Sequence, residues 1–142
     1  MTYNTYIRSH TEGFTLMGGH ITVEERTMLR DYILLPHIEA MVQRSIDDIE
    51  RSGNVLKRLY AAAGTYIQRQ IAEDTRRLKA ELKRANIRIL GEEHTDFILY
   101  TEINCRGYPE RFGLTRDVMR TEISVRLTQY VAEFGAKIAN RI

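Results

Sequence analysis

Between Asn54 and Leu90, apolar residues recur at steps of three and four. They are Leu56, Tyr60, Ala63, Ile67, Ile71, Leu78, Leu82, Ala85 and Ile89, with one polar interruption at Thr75. This spacing puts a continuous apolar stripe on one face of a helix. Gly53 can end a preceding helix, and Asn54 can cap this one because its side-chain oxygen accepts from an otherwise unpaired amide. A helix from Val55 to about Asn86 would run roughly 45–50 Å at ~1.5 Å per residue. A rod of that length needs a second helix beside it, from this chain or from a second copy. The small-residue run Ala61-Ala62-Ala63-Gly64 marks where another backbone can approach closely, on helix one, on the last helix or on a second subunit.

The preceding stretch repeats the helical pattern. Thr22-Val23-Glu24-Glu25 fits a capping box, in which the Thr hydroxyl takes a first-turn amide and Glu25 reaches back. Met28, Leu29, Tyr32, Ile33, Leu35, Ile38, Met41, Val42, Ile46 and Ile49 then form a wide stripe. Pro36 lacks an amide hydrogen, so a kink or break is expected near Leu34 to Pro36. Ser52-Gly53 is the stop, and a joint of two or three residues makes the two helices an antiparallel hairpin.

After Asn86 the period falls to two. Ile87 to Leu90 and Phe97 to Cys105 read as strands around a turn at Gly91 to Thr95. Phe97, Leu99, Thr101, Ile103 and Cys105 would share one face, and Ile98, Tyr100, Glu102 and Asn104 the other. Arg106 to Pro109 reads as a turn and Glu110 to Phe112 as a third short strand, which Pro109 confines to an edge. From about Thr115, Val118, Met119, Ile123, Leu127, Tyr130, Val131, Phe134 and Ile138 mark a last amphipathic helix.

The expected fold is therefore α+β and mostly helical. A long antiparallel helical hairpin (22–86) is followed by a two- or three-stranded antiparallel sheet (87–113) and a C-terminal amphipathic helix (115–141). A few strands need a helical layer, so the last helix should cover the sheet or return to the hairpin. Residues 1–21 read as an irregular arm, rich in Tyr and Phe, with a short extended piece around Phe14 to Met17. All of it is read as one domain.

Charge changes the picture most on the second helix. From Val55 to Leu90 there are nine Lys or Arg and three acids, a net of +6 on a chain whose total is +2, which leaves −4 for the rest. Arg69, Arg76 and Lys83 fall seven apart, with Arg77 and Arg84 beside them. Such a stripe can follow a phosphate backbone. It can equally be a solvated face laced by the pairs Arg69–Glu73, Glu73–Arg77 and Arg77–Glu81. No apolar run approaches the ~18 residues of a membrane span. The N-terminal sequence lacks a signal-peptide pattern, and a single Cys105 allows no internal disulfide, which suits a cytoplasmic location.

No catalytic or cofactor motif stands out. His10, His20, His37 and His94 make no metal-binding spacing, although Glu93-His94 is the nearest to a ligand pair. Cys105 beside Arg106 has the neighbour that a reactive thiolate needs, but it also suits a strand face closed by a small buried side chain. Gly18-Gly19-His20 precedes a helix start but lacks a phosphate-loop motif. Glu102 to Arg116, which includes Arg106, Tyr108, Arg111 and Arg116, is a recognition surface held by a turn or a plain hairpin loop.

Three functions follow as expectations. The first is a cytoplasmic interaction or regulatory protein that works through protein contacts as a homodimer, with no cofactor or metal. The second is a nucleic-acid-binding protein that uses Arg69, Arg76, Arg77, Lys83 and Arg84, with Arg106, Arg111 and Arg116 in support. The third is an enzyme whose site is assembled from distant residues around Cys105.

Overall fold

A computed structural model describes residues 21–140. Helix α1 (Val23–Glu50) and helix α2 (Lys57–Arg84) form the antiparallel hairpin. Strands β1 (Ile87–His94), β2 (Ile98–Cys105) and β3 (Tyr108–Thr115) follow, and helix α3 (Arg116–Ala139) closes the chain. The architecture is α+β and mostly helical. The extended piece expected at Phe14 to Met17 and the Gly18-Gly19-His20 run lie outside the described residues.

The start of α1 is the expected capping box. The Thr22 hydroxyl accepts from the Glu25 amide at 3.1 Å, and Glu25 Oε1 accepts from the Thr22 amide at 2.9 Å. No break occurs at Pro36, and α1 runs unbroken from Val23 to Glu50. A proline inside a helix costs about 3 kcal/mol or more. Leu29, Ile33, Leu34, Leu35 and Ile38 are all buried around it, and each buried side chain of this size contributes roughly 1.5–3 kcal/mol. Tertiary burial outweighs the local defect.

The joint is longer than expected. Asn54 Oδ1 accepts from the Leu56 amide at 2.8 Å, but this caps a turn, and α2 begins only at Lys57. At its far end Asn86 takes a left-handed conformation, with φ 58°, and stops the helix. Asn tolerates that region better than most residues. The two helices are each 28 residues long, so α1 matches α2 along its length. Helix length thus gives no reason to invoke a second copy.

Gly64, at the end of the small-residue run, packs against α1. A β-carbon on Gly64 would come 2.5 Å from Ile46 Cγ1 and 2.8 Å from Ile46 Cδ1. The missing side chain of glycine leaves the room in which the Ile46 side chain packs against α2.

The sheet is antiparallel with the order β1-β2-β3. Along β2 burial alternates as expected, with Leu99, Thr101, Ile103 and Cys105 inside. Phe97 does not share that face. It sits in the β1–β2 turn, 78% exposed. The turn falls at Thr95 to Phe97, because the Thr95 hydroxyl bonds both the amide and the carbonyl of Ile98. Gly91 to His94, expected as a turn, instead extend β1 and pair with Glu102 to Leu99 across an irregularity between Ile89 and Gly91. A bulge of this kind resets the side-chain alternation and hides the strand from a period-two reading.

The β2–β3 turn is only Arg106-Gly107, with φ 51° and 93°, and β3 is longer than the expected Glu110 to Phe112. Two central residues at positive φ match the strand twist of a tight hairpin. Pro109 does lie on an edge strand. Helix α3 is capped by the Thr115 hydroxyl, 3.3 Å from the Val118 amide. It packs on both layers, touching α1, α2 and β3. Arg126 pairs with Asp31 of α1 at 2.6 Å, and the buried Tyr130 donates to Asp74 of α2. The core joins Leu29, Leu35 and Ile38 of α1 to Ile103 and Leu114 of the sheet.

Candidate interaction surfaces

The basic face of α2 survives folding as a surface. Arg69, Arg76, Arg77, Lys83 and Arg84 are all exposed. At ~100° per residue, Arg69, Arg76, Lys83 and Arg84 fall in an arc of about 100°, away from the buried Ile67, Ile71, Leu78 and Leu82. Of the three ion pairs expected to lace this face, only Arg77–Glu81 forms among the described residues, at 3.5 Å, and Arg77 also reaches Asp74 at 3.7 Å. Arg77 is therefore neutralised locally. Arg69, Arg76, Lys83 and Arg84 make no ion pair with a described residue.

The cations of the turn segment hold the fold together. Arg106 donates to both oxygens of Glu25, at 2.9 and 3.0 Å, and to the Ala85 carbonyl at 3.0 Å. It ties the sheet to the start of α1 and the end of α2. Burial pushes the Glu25 carboxyl up, but the bonds from Arg106 and the Thr22 amide outweigh it and hold the group below its ordinary value. The same bond raises the Arg106 guanidinium. Arg111 lies 3.8 Å over the Tyr100 ring and pairs with Glu102 at 3.0 Å and with Glu93. Arg116 donates to the carbonyls of Asp96 and Thr95, at 2.9 and 3.1 Å. Tyr108 is half-exposed at the start of β3. The structure does not gather this group into one pocket. Arg106 sits at the helix junction, whereas Arg111 lies on the sheet face opposite the buried one.

Two surfaces escaped sequence reasoning. Leu56 and Tyr60, placed in the buried stripe by their spacing, are exposed together with Val55 and Leu59, and Val55 is 93% exposed. They cap the hairpin tip. Beside them lies an apolar groove of about 260 Å³, lined by Met41, Ile46, Ile49, Tyr60, Gly64 and Leu127. The last buried residue of α1 is Ile46 and the first of α2 is Gly64, so the turns nearer the tip lie beyond the packed layers. Periodicity records which side of a helix is apolar but not where its partner ends.

The second surface is a groove of about 550 Å³ at the other end of the hairpin, next to β1. Tyr32, Leu82, Ile87 and Ile89 line it together with Lys79, Lys83 and Arg88, with no carboxylate among the described lining residues.

The chemistry-bearing residues are scattered or buried. Cys105 is 0% exposed on the inner face of β2, out of reach of a substrate. His94 faces Glu92 at 3.6 Å rather than forming a site with Glu93. Among the described residues no three His, Cys, Asp or Glu cluster as metal ligands, and no helix is long and apolar enough to cross a membrane. His10 and His20 lie outside the described residues.

No curated protein and no solved structure matches this chain. The profile of a family described as "YhjD protein" matches residues 20–134, and the chain belongs to that family.

Proposed function

We propose that this member of the family is a cytoplasmic interaction protein that acts through protein–protein contacts as a homodimer. The observation that carries the reading is the open apolar tip. Val55, Leu56, Leu59 and Tyr60 are exposed side by side next to an unfilled apolar groove. Contiguous apolar surface of this kind marks contact sites, because leaving it in water is unfavourable at roughly 25 cal/mol per Å². The tip is where a partner protein docks, and Tyr60 and Leu59 are its anchors.

A second reading has its own support. Arg69, Arg76, Lys83 and Arg84 are exposed and without an ion pair to a described residue, which suits a nucleic-acid backbone.

Photo-crosslinking amino acids placed separately at Leu59 and at Arg76 distinguish the two. The interaction reading expects protein adducts from position 59 in living cells and no nucleic-acid adducts from position 76. Nuclease-sensitive adducts at 76, with none to protein at 59, would replace it with the second reading.

A further inference from the structure

We infer that β1 is the homodimer interface, pairing antiparallel with β1 of a second copy to join the two sheets. The inference rests on the homodimer reading above and names its surface.

Strand β1 is an edge of the sheet, and it pairs only with β2 among the described residues. An edge strand leaves a row of backbone donors and acceptors open to another strand. The opposite edge, β3, is guarded by Pro109, which has no amide hydrogen to offer. Strand β1 reads IRILGEEH and carries neither proline nor lysine. In its middle, Ile89 is 37% and Leu90 57% exposed.

Its charges are complementary to themselves. Arg88 lies near the start of β1, and Glu92 and Glu93 lie near the end. Cross-strand partners share a face of the sheet, so the register with β2 assigns the faces. Ile87, Ile89, Glu92 and His94 sit opposite Cys105, Ile103, Thr101 and Leu99, on the helix-facing side. Arg88 and Glu93 sit opposite Asn104 and Tyr100, on the other side. The irregularity at Leu90 makes this possible by shifting the alternation by one.

An antiparallel crossing centred between Leu90 and Gly91 then sets Arg88 against Glu93 of the second copy, twice over. It sets Ile89 against Glu92 of the second copy on the helix-facing side. That side holds the groove lined by Lys79 and Lys83 of α2, with no carboxylate among its described lining residues. The second copy's acidic strand end therefore enters a basic groove, and the symmetry repeats the contact. A two-fold interface requires this self-complementarity, and opposed charges fix its register.

Sedimentation equilibrium at low salt on the full chain and two charge variants tests the inference. Arg88→Glu and Glu93→Arg each place like charges opposite at two positions, and each should weaken self-association about tenfold or more. Glu93→Arg also loses the pair with Arg111, so the mixture decides. Mixed in equal amounts, the two variants should form a heterodimer of near wild-type tightness, because every crossing again sets Arg against Glu. Variants that dimerise as wild type overturn the β1 interface and leave the homodimer standing. Weakening without recovery in the mixture also overturns it. A wild-type chain that stays monomeric overturns both.

Discussion

Gly64→Ala sets two opposed effects against each other in the hairpin. Gly64 lies inside α2, where alanine favours the helix by about 1 kcal/mol. Propensity alone therefore expects stabilisation. The new β-carbon, however, would stand 2.5 Å from Ile46 Cγ1, 2.8 Å from Cδ1 and 3.8 Å from Val42 Cγ1. The Cδ1 methyl can swing aside. Cγ1 moves only by a χ1 change, which a β-branched side chain in a helix resists, or by parting the helices. Ile46 is buried, so either motion disturbs packed neighbours, and overpacking of this kind costs about 1–3 kcal/mol. The clash should win, leaving a net loss of ~1 kcal/mol and a melting temperature lower by a few degrees. Urea unfolding at fixed protein concentration, followed by far-UV circular dichroism with unchanged m, measures it. A double-mutant cycle isolates the cause. Ile46→Ala alone should cost roughly 2–4 kcal/mol, and about 1–2 kcal/mol less in the Gly64→Ala background. Stabilisation by Gly64→Ala, or strict additivity with Ile46→Ala, would refute the close crossing.

Other expectations follow from the same contacts. Glu25→Gln keeps the cap but weakens the bond to Arg106, a pair one-third exposed on the arginine side, and should cost ~1 kcal/mol near pH 7. Because folding lowers the Glu25 pKa, its stabilisation is present above the unfolded value of 4.5 and lost as pH falls below it. The gap between variant and wild type, read by urea titrations, should therefore narrow in acid. Tyr130→Phe removes the bond to Asp74 and should cost about 1–2 kcal/mol. Burial and then that bond raise the Tyr130 hydroxyl, so its contribution is full below the unfolded value of 10.0 and lost as pH rises above it. Thermal melts should show less alkaline loss in the variant. Replacing Arg76, Lys83 and Arg84 together by Gln should change stability by less than ~0.5 kcal/mol each, since they are exposed and make no ion pair with a described residue.

The helical hairpin was legible because both helices carry long stripes, and the capping box at Thr22 and Glu25 announced the first. The small run ending at Gly64 marked a place of close approach but not its partner, which is the Ile46 side chain of α1. At Pro36 the helix continues without a break, because a local defect says nothing of the burial that overrides it. The length of β1 was hidden by the irregularity near Leu90, and Phe97 was misplaced because alternation continues into a turn without any change in composition. Of the candidate site residues, Arg69, Arg76, Lys83 and Arg84 lie exposed on α2 opposite its buried face, an arrangement that their spacing against the apolar stripe makes legible. The roles of Arg106, Arg111 and Arg116 as ties between elements depend on partners far away in the chain, such as Glu25, and no local pattern reveals them. The exposed tip was misread as core because spacing cannot show where α1 stops covering α2.

Light-scattering mass across a wide concentration range, at low salt, with and without a short mixed-sequence DNA duplex, tests the proposed function most directly. The account expects a concentration-dependent approach to twice 16.6 kDa, unchanged by the duplex. A mass that stays at 16.6 kDa throughout, or one that grows with DNA and falls back as salt is raised, would contradict it.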